Sequence, residues 1–567
     1  MSIAGTLRLP GAVISSSFMT LAIKPRPSLE SQHFQVVVIG GGINGVAVAR
    51  ECARAGKRTL LVEQNDFASG VTSRSTRIIH GGLRYLEHGE IDLVRESVRE
   101  RERLLRERPH LVHPIEFLFL LNETSQRSAM KVRAGLWVYQ RLAGKKSHDL
   151  SEMELKRVER ALDAGHKWSI FNYEDAQCEF PERLVAEWLT EAVDAGAVVR
   201  NHTEVLAVDV AHGRARAVLL RDRSGTGPSK DERVEAGWII NCTGPWADRI
   251  CQRSSVRTSK PMLGGVRGSH IVLPRFSGAP SSALYAEAAD GRPVFVLPWN
   301  EQVLVGTTEV PDTGDPGRTS PSNEEIEYLL RAVTKLFPKV KLSAHDIKYA
   351  FAGVRPLPNS PANKPSAVTR RHFLHDHKDD GAAHLISVIG GKLTTAASLA
   401  RECARKIGIA VAEPTSISVG PGSSLDPMLD QEVIEIARAG SVSEETARGM
   451  MEWHGQRAMD IARMALVSAE LRAPVCPHTS HIVAEVVEAY RRECAVTLGD
   501  VLLRRVPVAL GACWSESCSR EAALRIGAVM GWDDHALGAN LESFEMERTA
   551  FLHRPSRGYS ALQTAAD

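Results

Sequence analysis

Residues 34–45 read FQVVVIGGGING, an apolar run that stops abruptly in glycine, and the chain's architecture is read outward from it. Only Gln35 interrupts the apolar residues up to Ile39, the composition of a strand covered on both faces in a parallel sheet. Gly40, Gly42 and Gly45 follow with the spacing G-x-G-x-x-G and open a helical segment, 43–55, that Gly56 closes. A second apolar strand at 58–62 completes a strand–helix–strand unit. In that setting Gly40 permits a tight turn and Gly42 lets backbone amides approach a pyrophosphate. Gly45 lets the helix pack closely on the sheet, while the helix N-terminus attracts the anion. Glu63 ends the second strand, where a carboxylate can accept hydrogen bonds from an adenosine ribose. The stretch predicts a dinucleotide site, with Asn44 in the same turn among its contacts.

At 567 residues, with 43% hydrophobic and 24% charged residues, the chain suits two or three globular units, at least one built from separated segments. A net charge of +2 offers no global field for nucleic acid, so any attraction for anions must come from local clusters. Nine cysteines, scattered with no C-x-x-C pair, read as reduced thiols. Cys513 and Cys518 with His478 upstream do not form a recognised ligand pattern, so no metal is expected. No run of about 20 apolar residues is present to span a bilayer as a helix. Residues 1–33 read as a disordered leader, with a transit peptide as the alternative.

Residues 84–108, dense in Arg, Glu and Leu, predict one long helix laced with solvent-facing charge, and further strands are expected at 234–241, 269–273, 294–297, 303–306 and 384–389. Residues 413–427 read as a linker, 428–545 as a helical domain, and 546–567 as a loose tail.

Three later glycine-containing stretches resemble the remaining motifs of flavoproteins of the glutathione-reductase and amino-acid-oxidase folds: HGGLRY at 80–85, NCTG at 241–244 and VIGGKLTT at 388–395. The resemblance implies FAD. It adds Ser73, Ser75, His80, Gly81, Gly82, Leu83, Gly244, Gly391, Lys392, Leu393 and Thr394 to the expected cofactor contacts. Backbone amides and the Lys392 charge in the last motif would stabilise negative charge developing on the flavin pyrimidine ring.

More specific blocks follow in order: IIHGGLRYLEH at 78–88, NCTGPW at 241–246, RGSHIVLP at 267–274, GTTE at 306–309 and GVRPL at 353–357. Together they make residues 34–545 resemble the FAD-dependent glycerol-3-phosphate dehydrogenases. The resemblance implies an α/β fold: a Rossmann-like FAD domain (34–125, 200–262 and 350–412), a β-sheet substrate cap (126–199 and 263–349), and the α-helical C-terminal domain.

It also implies oxidation of sn-glycerol 3-phosphate to dihydroxyacetone phosphate by hydride transfer from C2 to flavin N5. Arg84, Tyr85, Arg355, Arg370 and Lys392 are expected around the substrate, since planar guanidinium forks suit a phosphate near its dianion. His270 is the candidate base for the C2 hydroxyl; a structural histidine, with Arg355 or a water handling that proton, is the competing reading.

Two positions depart from the family's pattern: Arg77 stands where many members have lysine, and 179–184 (EFPERL) matches an acidic motif only loosely. The expected electron acceptor is a membrane quinone, with O2 (a glycerol-3-phosphate oxidase) as the alternative; a flavoprotein oxidase of amino or hydroxy acids is a further one. The basic amphipathic segment 130–146 could rest on an anionic membrane surface or turn its apolar side to the core. The expected location is peripheral, at the cytoplasmic face of a bacterial inner membrane or at the mitochondrial inner membrane, with a homodimer among the expected assemblies.

Overall fold

The computed structural model describes residues 25–144, 152–254, 256–359, 368–412 and 427–554. The strand His33–Ile39 lies inside a sheet ordered Phe373–Asp376, Leu385–Ile389, Glu232–Asn241, His33–Ile39, Thr59–Val62, Val198–Arg200. All neighbours are parallel except the first pair. Val36, Val37, Val38 and Ile39 are buried on both faces, each stabilising the sheet by about 1.5–3 kcal/mol relative to exposure. Helix Ile43–Arg54 covers one face and is itself packed against helices Pro181–Asp194 and Ala396–Lys406. The turn between first strand and first helix therefore opens at the carboxyl edge of a parallel sheet, where such folds bind ligands.

A second sheet of nine strands includes the long antiparallel pair Leu263–Pro274 and Tyr349–Pro358 and the pair Val112–Leu121 and Ser169–Cys178. Helix Asn323–Leu336 closes one face of it over Ile271, Leu284, Val296 and Val305, with Ser322 and Glu325 forming a capping box. The helical domain follows from Pro427 to Phe551 and shares a core with this sheet, in which Trp453, Leu510 and Phe551 join Phe180, Trp299, Tyr349 and Phe351. Buried ion pairs fasten it. Arg183 forks onto both oxygens of Glu493 at 2.7 and 2.9 Å, and Arg505 onto both oxygens of Asp66 at 2.7 and 2.8 Å.

Several expected boundaries move. Residues 25–33 belong to the fold: Arg26 donates to the Asn201 carbonyl at 2.6 Å, and buried Leu29 donates its amide to Glu232 at 2.6 Å. The strand Val112–Leu121 and the turn strand Ile78–Ile79 pair within the cap's sheet, as does Tyr349–Pro358, while Val198–Arg200 pairs within the dinucleotide sheet. Apolar strands look alike until their partners are known. The single helix expected over 84–108 is a short turn, Leu83–His88, and a helix, Ile91–Glu107, separated by Gly89 at φ +71°. The charges of that helix are not all solvated: Arg101 is buried and donates to Asp175 at 2.5 Å. Residues 546–554 are not loose, since the last helix runs to Phe551 and His553 bridges to Ala350. Residues 1–24, 555–567 and nearly all of the expected linker, 413–426, lie outside the described residues. Among the described residues no helix is long and apolar enough to cross a membrane.

Candidate active site

A cavity of about 1350 Å³ extends from the glycine turn at the edge of the parallel sheet to the cap's second sheet. At one end Gly40 turns the chain with φ +103°, and a Cβ there would sit 2.6 Å from the Cys242 carbonyl oxygen. A Cβ on Gly45 would sit 1.8 Å from the Gly40 carbonyl, so the helix reaches the sheet only with glycine at that position. Gly42 caps the helix and borders the cavity with Asn44, whose buried Oδ1 has no hydrogen-bond partner among the described residues. Glu63 does more than face a ribose. Its carboxylate accepts the Gly41 amide at 2.7 Å and the Asn65 amide at 2.9 Å, fixing the turn; burial lifts its pKa while those amides work against the rise.

The other motifs converge on this turn. Asn44 Nδ2 donates to the Gly390 carbonyl at 3.4 Å, and the His80 amide donates to Thr394 Oγ1 at 3.2 Å. His80, Gly82, Leu83, Gly244, Gly391, Lys392 and Leu393 border the cavity, as do Ser73 and Ser75. Gly81 and Thr394 lie behind this lining, the Gly81 amide donating to Asp175 at 3.0 Å. Ser73 donates to the Ala68 carbonyl at 2.6 Å, and Ser75 accepts the Arg77 amide at 3.2 Å, so both hydroxyls also brace the loop. The helix N-terminus, the close-approach glycine and the unpartnered Asn44 oxygen fit a bound dinucleotide, and the four motifs present a long groove of donors for it.

Deeper in the cavity three arginines surround one carboxylate. Arg370 Nη2 donates to Glu309 Oε1 at 2.7 Å, and Arg84 Nη1 lies 3.8 Å from the same oxygen. Arg355 is moored by Nη2 to Thr307 Oγ1 at 3.0 Å and by Nη1 to the Thr308 carbonyl at 3.3 Å. Arg370 Nη1 and Glu309 Oε2 are buried without hydrogen-bond partners among the described residues. Burial, then the neighbouring Arg370, pulls Arg355 down to about 10, which leaves it charged at neutral pH. The cluster is a cationic recess of planar forks with open donor capacity, suited to an anion with several acceptor oxygens.

Lys392 stands beside this recess, its Nζ 4.3 Å from the centre of the Tyr85 ring and donating to Ser97 Oγ at 2.6 Å. Burial brings its pKa down to about 7, against the pull of Glu96, Glu90 and Asp175. His270 is buried, stacked on Phe351, and its Nε2 is 2.9 Å from Thr76 Oγ1, while Nδ1 has no hydrogen-bond partner among the described residues. Burial, then Arg355, lowers it to about 3, so the imidazole is neutral in the free protein. Burial also raises the Tyr85 phenol to about 12, which keeps it protonated.

Arg77, by contrast, serves structure. It forks onto Glu182 at 2.9 Å through both nitrogens and lies over Trp299, so its bidentate geometry explains arginine there. The same contact gives the 179–184 block a role in holding the cap.

Glu309 and the Thr307–Thr308 pair were not singled out from sequence, although they lie in the quoted GTTE block, where a carboxylate beside two hydroxyls was the available signal. Asp175, which accepts from Gly81, Tyr139 and Arg101, gave no such signal because only strand pairing brings it to the loop.

Residues 35–405 match the family described as FAD dependent oxidoreductase, and residues 384–537 match the C-terminal domain of alpha-glycerophosphate oxidase. The chain is 37% identical over 501 residues to a glycerol-3-phosphate dehydrogenase of Synechocystis, covering 85% of this chain and 90% of the relative. It is also 37% identical over 375 residues to D-erythritol 1-phosphate dehydrogenase of Brucella abortus, covering 65% of this chain and 73% of the relative. Among solved structures, the glycerol-3-phosphate dehydrogenase of Bacillus halodurans complexed with FAD superposes with a TM-score of 0.72 at 23% identity, over 92% of this chain and 96% of that one. That likeness shows the shared fold.

Proposed function

The chain belongs to the FAD-dependent glycerol-3-phosphate dehydrogenase family, and from that membership and its cationic recess we propose that it oxidises sn-glycerol 3-phosphate to dihydroxyacetone phosphate. The observation that carries the substrate is the set Arg84, Arg355 and Arg370 around a single carboxylate, in the same cavity as the dinucleotide cradle. FAD, when bound, supplies the acceptor for the hydride that leaves C2. Arg355, moored on Thr307 and Thr308, orients the phosphate by a fork rather than by charge alone. Glu309 holds Arg370 and limits the recess's charge, so that an anion of matching size replaces bonds that are already poised.

His270 is the acceptor for the C2 hydroxyl proton, with its unpartnered Nδ1 inside the protein and Nε2 on the Thr76 hydroxyl. Its depressed basicity in the free protein demands that bound negative charge raise it. Lys392 places a cation beside the last glycine motif, where negative charge develops.

The two electrons pass to a membrane quinone, and the chain works at the cytoplasmic face of a bacterial inner membrane or at the mitochondrial inner membrane. Helix Ala129–Ala143 supports this reading: Val132, Leu136, Tyr139 and Ala143 face the core, while Met130, Trp137 and Val138 are exposed among Lys131, Arg133 and Arg141. The similarity to a D-erythritol 1-phosphate dehydrogenase gives a second reading, a longer polyol phosphate held by the same phosphate clamp. Comparing kcat/KM for the two phosphates, with glycerol as control and with a short-chain quinone or O2 as acceptor, tests both substrate and acceptor. The proposal expects the three-carbon phosphate and the quinone to be preferred; a preference for the four-carbon phosphate, or stoichiometric peroxide without a quinone, would replace the corresponding half.

A further inference from the structure

Away from the cavity, in the helical domain, two loops bring together thiols and an imidazole that the proposed reaction does not use. Cys476 and His478 stand on a loop closed by the bridge between Pro474 and Ile482 and by the bond from the Val475 amide to the His481 carbonyl at 2.8 Å. Cys513 and Cys518 come from the segment that enters helix Glu516–Met530, where Ser515 caps the helix by accepting the Cys518 amide. One ligand atom each from Cys476, His478 and Cys518 lies within 4.8 Å of the others, with Cys518 Sγ 3.4 Å from His478 Nδ1. In a tetrahedral zinc site, bonds of about 2.3 Å to sulfur and about 2.0–2.1 Å to nitrogen place ligand atoms roughly 3.5–3.8 Å apart, so the three atoms need only a small contraction. Cys513 is exposed at the rim, its Sγ 3.9 Å from the His478 carbonyl, and the three cysteines, Cys476, Cys513 and Cys518, are free thiols.

Cys513, Cys518 and His478 have no recognised spacing in the sequence; the fold adds Cys476, two residues before the histidine. Two other groupings of ligand-type residues are already satisfied within the protein. Asp66 and Asp500 are neutralised by Arg505 and Arg504, with His202 Nε2 bonded to the Asp500 carboxylate, and in His375–His377–Asp380 one carboxylate oxygen accepts from both histidines while His377 Nε2 is taken by Ser387. Among the described residues, only the thiol cluster combines soft ligands with an exposed flank through which an ion could enter.

We propose that Cys476, His478 and Cys518, with Cys513 as fourth ligand, bind one zinc-class divalent ion that staples the 475–481 loop to the start of helix Glu516–Met530. Binding ionises three S–H bonds and releases three protons to the buffer as three S–metal bonds form; the imidazole joins as a neutral donor and nothing is oxidised. Four protein ligands close the site, which makes the ion structural.

The full-length, FAD-loaded protein, grown with zinc and dialysed without chelator, is assayed by elemental analysis. About one equivalent of zinc per chain is expected, and exchange with Co2+ should give the thiolate-to-cobalt charge-transfer band of a tetrahedral site. Cys518→Ser should lower the metal content at least tenfold. Because Cys518 is buried and its variant could disturb folding, the exposed His478→Ala and Cys513→Ser provide a second measurement, with Cys494→Ser as control and flavin content reporting the fold. Less than about a tenth of an equivalent of zinc with no cobalt band, retention of metal in all three variants, or a Cys476–Cys518 disulfide under non-reducing mass analysis would each overturn the assignment.

Discussion

Replacing Arg355 by lysine separates the geometry of the clamp from its charge. The guanidinium is held by Thr307 Oγ1 at 3.0 Å and the Thr308 carbonyl at 3.3 Å, and its side chain borders the cavity. Lysine keeps the positive charge but has neither the fork nor the reach to satisfy both moorings and a phosphate oxygen together. A hydrogen bond to a charged group contributes about 1.5–3 kcal/mol, so losing one arm of the fork with the charge retained should cost roughly 2–3 kcal/mol of transition-state stabilisation. That is a fall of about 30- to 150-fold in kcat/KM for sn-glycerol 3-phosphate. Steady-state kinetics with an artificial electron acceptor measure it, and the flavin absorbance of the same sample reports cofactor occupancy. A kcat/KM within about threefold of the parent at full flavin occupancy would remove Arg355 from the clamp, as would activity lost only in proportion to lost flavin.

Other expectations follow from the same geometry. Lys392 titrates near 7 in the free protein, so near pH 8 it is mostly neutral; an anionic ligand raises its pKa, and binding should take up close to one proton at about that pH. Calorimetry in two buffers of different ionisation heat reads this, and uptake that persists in Lys392→Met would assign the proton elsewhere. Gly45→Ala puts a Cβ 1.8 Å from the Gly40 carbonyl and should leave a folded chain with less than about a tenth of the parent's flavin; full flavin would refute the packing role. Arg183→Ala removes the fork onto buried Glu493, leaving that carboxylate the Arg457 bond at 2.7 Å, and should lower stability by about 1.5–3 kcal/mol in urea unfolding, whereas a loss under about 0.5 kcal/mol would contradict the ion pair's role. Changing Met130 and Trp137 to serine should reduce co-sedimentation with anionic vesicles by about tenfold, and unchanged sedimentation would place the membrane contact elsewhere.

What the sequence carried in short range proved legible. Gly40, Gly42, Gly45 and Glu63 sit within one strand–helix–strand unit, so their spacing already encodes the turn that the structure contains. Gly89 at φ +71° breaks the stretch 84–108, while the helix-forming residues on either side of it give the pattern of one helix. The burial of Arg101 within that charged stretch is not legible locally, because nothing near it in sequence hints at Asp175, which strand pairing brings up from 74 residues away. The cap boundaries shift for a related reason: it is the pairing of Val112–Leu121 with Ser169–Cys178 on one side and with Ala283–Glu287 on the other that assigns it to the second sheet, and neither partner is near it in sequence. In the site, Arg84, Arg355 and Arg370 are legible through the chain's family resemblance rather than through any local pattern of their own. Glu309, an ordinary acidic residue by composition, gains meaning only when Arg84 and Arg370 arrive from distant segments.

The central claim, that the recess presents a phosphate-bearing polyol to the flavin, is tested most directly by anaerobic titration of the purified protein with sn-glycerol 3-phosphate while the flavin absorbance is followed. The expected result is stoichiometric bleaching by sn-glycerol 3-phosphate and none by glycerol or amino acids. Bleaching by an amino acid, or an unchanged flavin at saturating sn-glycerol 3-phosphate, would contradict it.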